Sequence, residues 1–247
     1  MTKINIVAIN LQSGVGMTKG GFHIPLNTWK YWLPHSHKPI SDAGEMIKDE
    51  GVDIACVTEI TESSIRTGFR SQTDFLARKS GLRNYHFFSM QERGKLFFHE
   101  GNAILSKYKV EDADSQLLHV ELQNMSLDEA VIEIEGQKIT VFVAHLALLK
   151  RNREIQIREI IEIVKERKGP IILAGDFNEK HSEAFNILIQ ETRLKNMCNL
   201  KTFPSWNPKH TFDYIFLTEE FNVLGYHVQK SKAFSDHLAL IVKAELR

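Results

Sequence analysis

Asn10, Glu59, His145, Asp176 with Asn178, Asp213, and Asp236 with His237 each end or begin an apolar run. The most compact case is Pro170-Ile171-Ile172-Leu173-Ala174-Gly175-Asp176-Phe177-Asn178. There an apolar run stops at a glycine and presents a carboxylate and a carboxamide one residue apart. A short continuous apolar run is the pattern of a strand buried on both faces, and the loop after such a strand is where open α/β folds hold ligands. Singly, each group has a plain structural explanation. Asp176 with Asn178 suits an Asx turn, Glu59 a cap or ion pair, His145 a satisfied half-buried ring, and Asp213 a turn former. Together they demand more. Crowded, buried carboxylates cost several kcal/mol per ion unless a cation compensates them. An oxygen-rich donor set suits Mg²⁺, with Mn²⁺ as a substitute. The cysteines Cys56 and Cys198 lack paired ligand spacing and read as free, buried thiols, and His35-x-His37 stands alone, so the spacing does not support zinc.

The elements that must position these groups alternate in type. Ile4–Leu11 reads as a buried strand ending near Asn10, and Val52–Thr58 as a second, ending in Glu59. Between them lies a glycine-, histidine- and aromatic-rich insertion at about 12–40 without clear period, whose Trp29, Tyr31 and Trp32 suit either a pocket cover or plain packing. Asp42 with Glu45 resembles a capping box opening a helix that runs to about Glu50 and stops at Gly51. Arg66 to Ser80 reads as a loop leading into a helix closed by Gly81, Tyr85–Met90 and Asn102–Ser106 as strands, and 91–101 as a polar connector. From Leu117 the pattern becomes a β-meander: Ile132 and Ile134 alternate with glutamates, Gly136-Gln137 turns, and Ile139, Val141 and Val143 lead to His145. The stripe Ile157, Ile160, Ile161, Val164 marks a helix from Asn152 to Lys168, ended by Gly169-Pro170. A helix over Ser182–Glu191, a loop 201–211, and strands from Asp213 to Leu217, Phe221 to Val228 and Leu238 to Leu246 complete the chain. Strand meanders beside βαβ-like units imply a mixed α/β class with stacked sheets, and the lack of a linker implies one domain over 1–247.

Composition narrows the function classes. A hydrophobic fraction of 43%, a charged fraction of 25% and a formal net charge of zero are those of an ordinary soluble globular protein. They remove the simplest electrostatic argument for a nonspecific nucleic-acid binder while leaving room for a local basic groove. No apolar run is long enough to span a bilayer and no charged-then-apolar leader opens the sequence, so the expected location is the cytoplasm.

Asn10 after its strand, Val57-Thr58-Glu59, Gly101-Asn102-Ala103-Ile104-Leu105-Ser106, Ala144-His145-Leu146, Gly175-Asp176-Phe177-Asn178, Phe212-Asp213-Tyr214-Ile215-Phe216 and Ser235-Asp236-His237 occur in that order. From Ile4 to about Leu240 this resembles the endonuclease/exonuclease/phosphatase superfamily, which includes deoxyribonuclease I and exonuclease III-type nucleases. The resemblance implies a four-layer αββα sandwich, two mixed β-sheets face to face with helices outside, and a metal-dependent phosphoesterase site at one edge. It implies Glu59 as principal Mg²⁺ ligand, with Asn10 and Asp236 beside the metal. It also implies His237 at the centre, oriented by Asp213, Asp176 on the attacking water, and Asn178 and His145 on the phosphoryl oxygens. Whether Asp176 or His237 is the base stays open. Asn102, Lys95, His99 and Arg66 are candidate substrate contacts. Thr58 departs from the glutamine of many relatives, and Phe212 from the basic-plus-aliphatic pair frequent before the aspartate, with Lys209-His210 just upstream.

The expected activity is Mg²⁺-dependent hydrolysis of a phosphodiester or phosphomonoester by an activated water, by a monomeric protein. A DNA-repair nuclease of the same superfamily is the alternative within the class, nucleic acid remaining a partner to be tested. An inactive scaffold with this fold is the alternative outside it. The insertion, placed straight after Asn10, is expected at the site mouth as a substrate-shaping lid.

Overall fold

The structure, a computed structural model, describes residues 1–20, 26, 28–90, 94, 96–119, 125–180, 183–196, 200–230 and 234–247. Cys198 and Lys95 lie outside the described residues.

Two six-stranded sheets carry the chain. The first contains β1 (Thr2–Asn10), β2 (Ile54–Thr61), β3 (Asn84–Ser89), β4 (Glu100–Ser106), β11 (Phe221–Val228) and β12 (Leu240–Leu246), in the order β11-β12-β1-β2-β4-β3. The second contains β5 (Val110–Leu118), β6 (Met125–Ile134), β7 (Gln137–His145), β8 (Ile171–Asp176), β9 (Lys195–Asn196) and β10 (Asp213–Leu217), in the order β5-β6-β7-β8-β10-β9. β1 with β2 and β7 with β8 run parallel and the remaining pairs antiparallel, so both sheets are mixed.

The two-residue period of a strand sends alternate side chains to opposite faces, and here both faces are apolar. Ile4, Ile6 and Ala8 of β1 and Ile54 and Cys56 of β2 meet Ile139, Val141 and Val143 of β7 and Ile172 and Ala174 of β8 between the sheets. Val7, Ile9, Ala55 and Val57 face outward onto α1 (Lys38–Asp49) and α2 (Gln72–Ser80) through Ile40, Ile47 and Leu76. Phe142, Leu173 and Phe216 face the other way onto α3 (Lys150–Lys165) and α4 (Glu183–Glu191) through Ile157, Ile160, Ile161, Phe185 and Leu188. Three apolar layers between four layers of backbone make the αββα sandwich. Each large aliphatic side chain fully buried in them contributes about 1.5–3 kcal/mol.

Two sequence expectations need correction. The first helix does not open on an Asp42–Glu45 capping box. It starts four residues earlier at Lys38, with Pro39 in the first turn, and Asp42 instead closes an i,i+4 ion pair with Lys38 at 2.7 Å. Proline, lacking an N–H, costs nothing at a helix start, and that signal outweighs the box. Strand β5 lies in a stretch without the expected alternation. Glu111, Asp112, Ser115 and Leu117 all face solvent because β5 is a sheet edge with one wet face.

Candidate active site

The geometry starts from register. Asp213 of β10 pairs with Asp176 of β8, and Asp176 pairs with His145 of β7, so the three form one row across the second sheet. In the first sheet Asn10 pairs with Thr58, one residue before Glu59. The same edge of both sheets thus carries the polar groups. Phe177 holds that edge down. Its ring is buried edge-on against Phe185, Tyr214 and Phe216, with centroids 5.6, 5.7 and 5.3 Å away. Such pairs are worth about 0.5–1.5 kcal/mol each beyond burial. Asp176 and Asn178 are the flanks of that anchor.

Local strain aims the side chains. Between Val57 and Ile60 strand β2 advances three residues while β4 advances two, from Ala103 to Gly101, so one residue bulges out. Glu59, at φ +50°, is in the bulge. A regular strand would send Glu59 to the helix-covered face with Val57; the bulge turns it to the cavity. Gln12, Ser13 and Asn178 also have left-handed backbone, at φ +47°, +52° and +49°. Non-glycine residues in that region cost about 1–3 kcal/mol each and gather at functional sites.

Asn10 is the hub. Its Nδ2 donates to Glu59 Oε1 and to Asp176 Oδ2, both at 3.0 Å, tying one sheet to the other. Its Oδ1 accepts from the Gln12 backbone N–H at 2.8 Å. The second oxygen of Asp176 accepts from the Asn178 N–H at 2.9 Å. His237 Nδ1 lies 2.8 Å from Asp213 Oδ2, and its Nε2 lies 3.6 Å from Asp176 Oδ2. The loop that bears His237 is pinned by Ser205, whose N–H donates to the Asp236 carbonyl at 2.6 Å and whose hydroxyl donates to the Ser235 carbonyl at 2.7 Å. His145 Nε2 stands 3.8 Å from Glu59 Oε1 and 4.0 Å from Asp176 Oδ2, and among the described residues its buried Nδ1 has no partner. Asn178 Nδ2 donates to the Leu146 carbonyl at 2.9 Å.

These groups line a cavity of about 480 Å³ with Tyr31, Glu100, Met125, Leu148, Phe203 and Phe212. Asn10 and Asp213 support the wall from behind, both fully buried. Of the remaining candidate contacts, the three that lie among the described residues are elsewhere. Arg66 is buried, donating to Thr61 Oγ1 at 2.6 Å and to Glu100 Oε2 at 2.9 Å, with its guanidinium 5.5 Å above the Phe98 ring. Asn102 is buried between the sheets, donating to Asp128 at 2.7 Å. His99 packs edge-on to Phe87. None of these three lines the cavity. Gln12, Tyr31, Glu100, Phe203 and Leu148 are the site residues that sequence reading missed. Tyr31 stood out only as one aromatic of the insertion, while Gln12 fell at the start of that insertion and Glu100 inside the stretch read as a polar connector.

The cluster holds more negative charge than its own donors neutralise. Burial, opposed by His145 and the Asn10 amide and reinforced by Glu100 and Asp236, pushes Glu59 up to about 7. Burial likewise raises Asp236 and Asp213 above the ordinary carboxylate range. Burial alone would lower His237, but the carboxylates of Asp213, Asp176 and Asp236 push it up to about 10. A surplus of carboxylate and amide oxygens without thiolate fits a hard divalent cation. Glu59 and Asp236 face the cavity, and among the described residues neither forms an ion pair with a lysine or arginine. By contrast Asp176, Asp213 and His237, whose ligating atoms lie within 4.8 Å of one another, already use His237 Nδ1 on Asp213.

The shifts give a pH dependence. A folded-state pKa above the unfolded value means the folded protein binds more protons across the gap, so stability falls as pH rises through it. For Glu59 the window is about 4.5 to 7, and for His237 about 6.5 to 10. The chelator-treated protein should therefore melt at progressively lower temperature from pH 5 to pH 9. Mg²⁺ should restore more at pH 8 than at pH 5, because cation binding displaces protons. Glu59→Gln should flatten the decline below pH 7. A melting temperature that climbs over that range would contradict this charge balance.

A family model described as the Endonuclease/Exonuclease/phosphatase family matches residues 9–237, from the end of β1 through His237. The chain belongs to that family. This endonuclease/exonuclease/phosphatase protein is 29% identical over 137 residues to the uncharacterized Escherichia coli protein YbhP, across 48% of this chain and 51% of that protein. The chain spans about half the length of the curated relatives it matches. Among solved structures, an endonuclease/exonuclease/phosphatase from Bacteroides vulgatus superimposes with a TM-score of 0.75 at 18% identity, covering 100% of both chains. A mannosyl-6-phosphatase from Bacteroides thetaiotaomicron VPI-5482 gives 0.74 at 15% identity, over 98% of this chain and 100% of that one. At such identities the likeness establishes the fold. Among the described residues no helix is long and apolar enough to cross a membrane.

Proposed function

We propose that this family member is a divalent-cation-dependent hydrolase of phosphoesters in which Asp176 activates the attacking water. The observation that carries this reading is the meeting of both sheets at Asp176. The Asn10 amide at 3.0 Å comes from the first sheet, and the His237 Nε2 at 3.6 Å from the loop before β12. Glu59, with Asp236 and Asn10 beside it, would hold Mg²⁺ or Mn²⁺. Bound there, the cation would neutralise the phosphoryl oxygens that otherwise repel an incoming hydroxide. His237, held as imidazolium by Asp213, donates from Nε2 toward the reacting phosphoryl group. Asp176 is then the group left to take the proton from water, and its two oxygens are fixed in direction by Asn10 and Asn178. His145 and the Asn178 amide face the phosphoryl oxygens.

The cavity also bears on substrate. Four carboxylates line it, Glu59, Glu100, Asp176 and Asp236, and among the described residues its lining includes neither lysine nor arginine. Nucleic-acid affinity rests mainly on basic contacts to phosphates, so this wall supports a small phosphoester over a polyanionic strand. The experiment is an assay of p-nitrophenyl phosphate, bis(p-nitrophenyl) phosphate and a DNA oligonucleotide with Mg²⁺ or Mn²⁺. The expected result is turnover of a nitrophenyl ester that chelator abolishes, and a Mg²⁺ requirement raised at least about tenfold in Glu59→Gln. Turnover untouched by chelator, or none on any phosphoester, would sink the proposal.

A further inference from the structure

The insertion sends one polar atom into the cavity that no motif assigns. Tyr31 ends the short 3₁₀ turn Thr28–Tyr31 and lines the cavity beside Glu59, Asp236 and His237. Its neighbours Trp29 and Trp32 face solvent, at 46% and 67% exposure, so Tyr31 is the ring of this turn that points inward. The phenol is tied to the hub of the site through one residue. Asn10 Oδ1 accepts the Gln12 N–H, and Gln12 Nε2 donates to Tyr31 Oη at 2.9 Å. Gln12 itself is 2% exposed, and its other amide atom accepts from the Met17 N–H at 2.9 Å, which fixes which end of the amide faces Tyr31. The left-handed backbone at Gln12 and Ser13 that allows this turn is held by Gln72, which donates to the Ser13 carbonyl at 2.9 Å and accepts from the Thr61 N–H at 3.0 Å.

A phenol has one proton to give and oxygen lone pairs to receive. Gln12 occupies the receiving side, and among the described residues no protein group takes the proton. Burial and the nearby Asp236 and Glu59 charges hold the phenol above its ordinary range, so it stays a neutral donor at any working pH. Of the four carboxylates of the cavity, Glu100 is engaged by Arg66 and Asp176 by Asn10 and Asn178, and Glu59 and Asp236 are the ones proposed to hold the cation, which leaves the neutral O–H for an oxygen of the substrate.

We propose that Tyr31 is a substrate-contacting hydrogen-bond donor of this site, directed at an oxygen of the bound phosphoryl group, and that the insertion exists at the mouth to deliver it. The inference rests on the phosphoesterase reading of the cavity. It gives the 12–40 segment a defined chemical contribution in place of a passive cover.

The test is Tyr31→Phe, which removes the hydroxyl and keeps the ring. A donor to a charged acceptor contributes enough that its loss reads as roughly a 10- to 100-fold fall in kcat/KM. With bis(p-nitrophenyl) phosphate and Mg²⁺, that fall is expected together with weaker inhibition by inorganic phosphate. The melting temperature and the Mg²⁺ concentration for half-maximal rate should be those of the wild type. Gln12→Met, which lets the phenol swing, should give a smaller loss in the same direction. A Tyr31→Phe rate within twofold of wild type would overturn the inference. So would a loss accounted for wholly by a raised Mg²⁺ requirement or a lowered melting temperature. A wild-type protein that turns over no phosphoester overturns the hydrolase reading and this inference with it; an active wild type equalled by Tyr31→Phe overturns this inference alone.

Discussion

Replacing His237 with alanine is expected to lower kcat on bis(p-nitrophenyl) phosphate by about 10²–10⁴-fold, the usual contribution of a positioned proton-transfer group. The imidazole stands between Asp213 Oδ2 at 2.8 Å and Asp176 Oδ2 at 3.6 Å, and the Phe203 ring packs 4.8 Å from it. His145, the other imidazole of the cavity, has Nε2 4.0 Å from the same oxygen, but among the described residues no carboxylate holds its Nδ1 as Asp213 holds that of His237. Asp213→Asn separates position from charge. It keeps a hydrogen-bonding group of the same shape but removes the carboxylate that contributes most to holding the ring up at about 10. The wild-type ring stays charged through neutral pH and loses its proton only as pH rises toward that value. In Asp213→Asn the ring should lose it more than one pH unit earlier. The alkaline limb of the rate profile should therefore move to lower pH in that variant, with a reduced plateau. If the limb stays in place, the Asp213–His237 pair does not set it.

Gly175→Ala is expected to be the most destructive small substitution in the second sheet. A Cβ at that position would fall 2.0 Å from the Ala144 carbonyl oxygen and 3.0 Å from the Ala144 carbon and nitrogen, all backbone atoms of the paired strand β7. The residue also has φ +139°, a conformation that side chains rarely adopt. Neither cost can be relieved by a rotamer change, since a parallel strand would have to move. The loss should reach about 3 kcal/mol or more, equivalent to roughly 6–12 °C in melting temperature for a domain of this size. Thermal denaturation checks it directly, and a melting temperature within about 2 °C of wild type would show that β7 and β8 separate more easily than their register implies. A milder outcome in which the protein folds should still cost activity, because Asp176 follows immediately and pairs with His145 and Asp213 in that register.

Much of this was legible in the chain itself, and the reason differs from place to place. Ile171 to Ala174 reads as a strand buried on both faces because helices cover one face and the other sheet covers the second. Asp176, Asn178, Asp213 and His237 could be found as polar ends of such runs. Glu59 was legible as an end but not in its direction, because the bulge between Val57 and Ile60 has no composition signal: no glycine or proline marks it. Arg66 reads as a candidate substrate contact, but it is buried and donates to Glu100, a partner 34 positions away that no local pattern connects to it. Tyr31 sits in a segment without period, where neither strand nor helix spacing says which of three aromatics turns inward. Edge strand β5 escaped for the opposite reason, since a half-solvated strand carries so little apolar signal.

The bridge made by Asn10 has a consequence for how the protein comes to work at all. Its amide joins Glu59, 49 positions away, to Asp176, 166 positions away, and these belong to different sheets. Neither sheet alone contains both the carboxylate proposed to hold a cation and the one proposed to activate water. On the proposed reading, a chain with a single sheet formed lacks one of the two carboxylates and should turn over nothing, whatever secondary structure it has gained. Hydrolytic competence should then arrive in one step, when the sheets dock, so that the first turnover would report completed assembly.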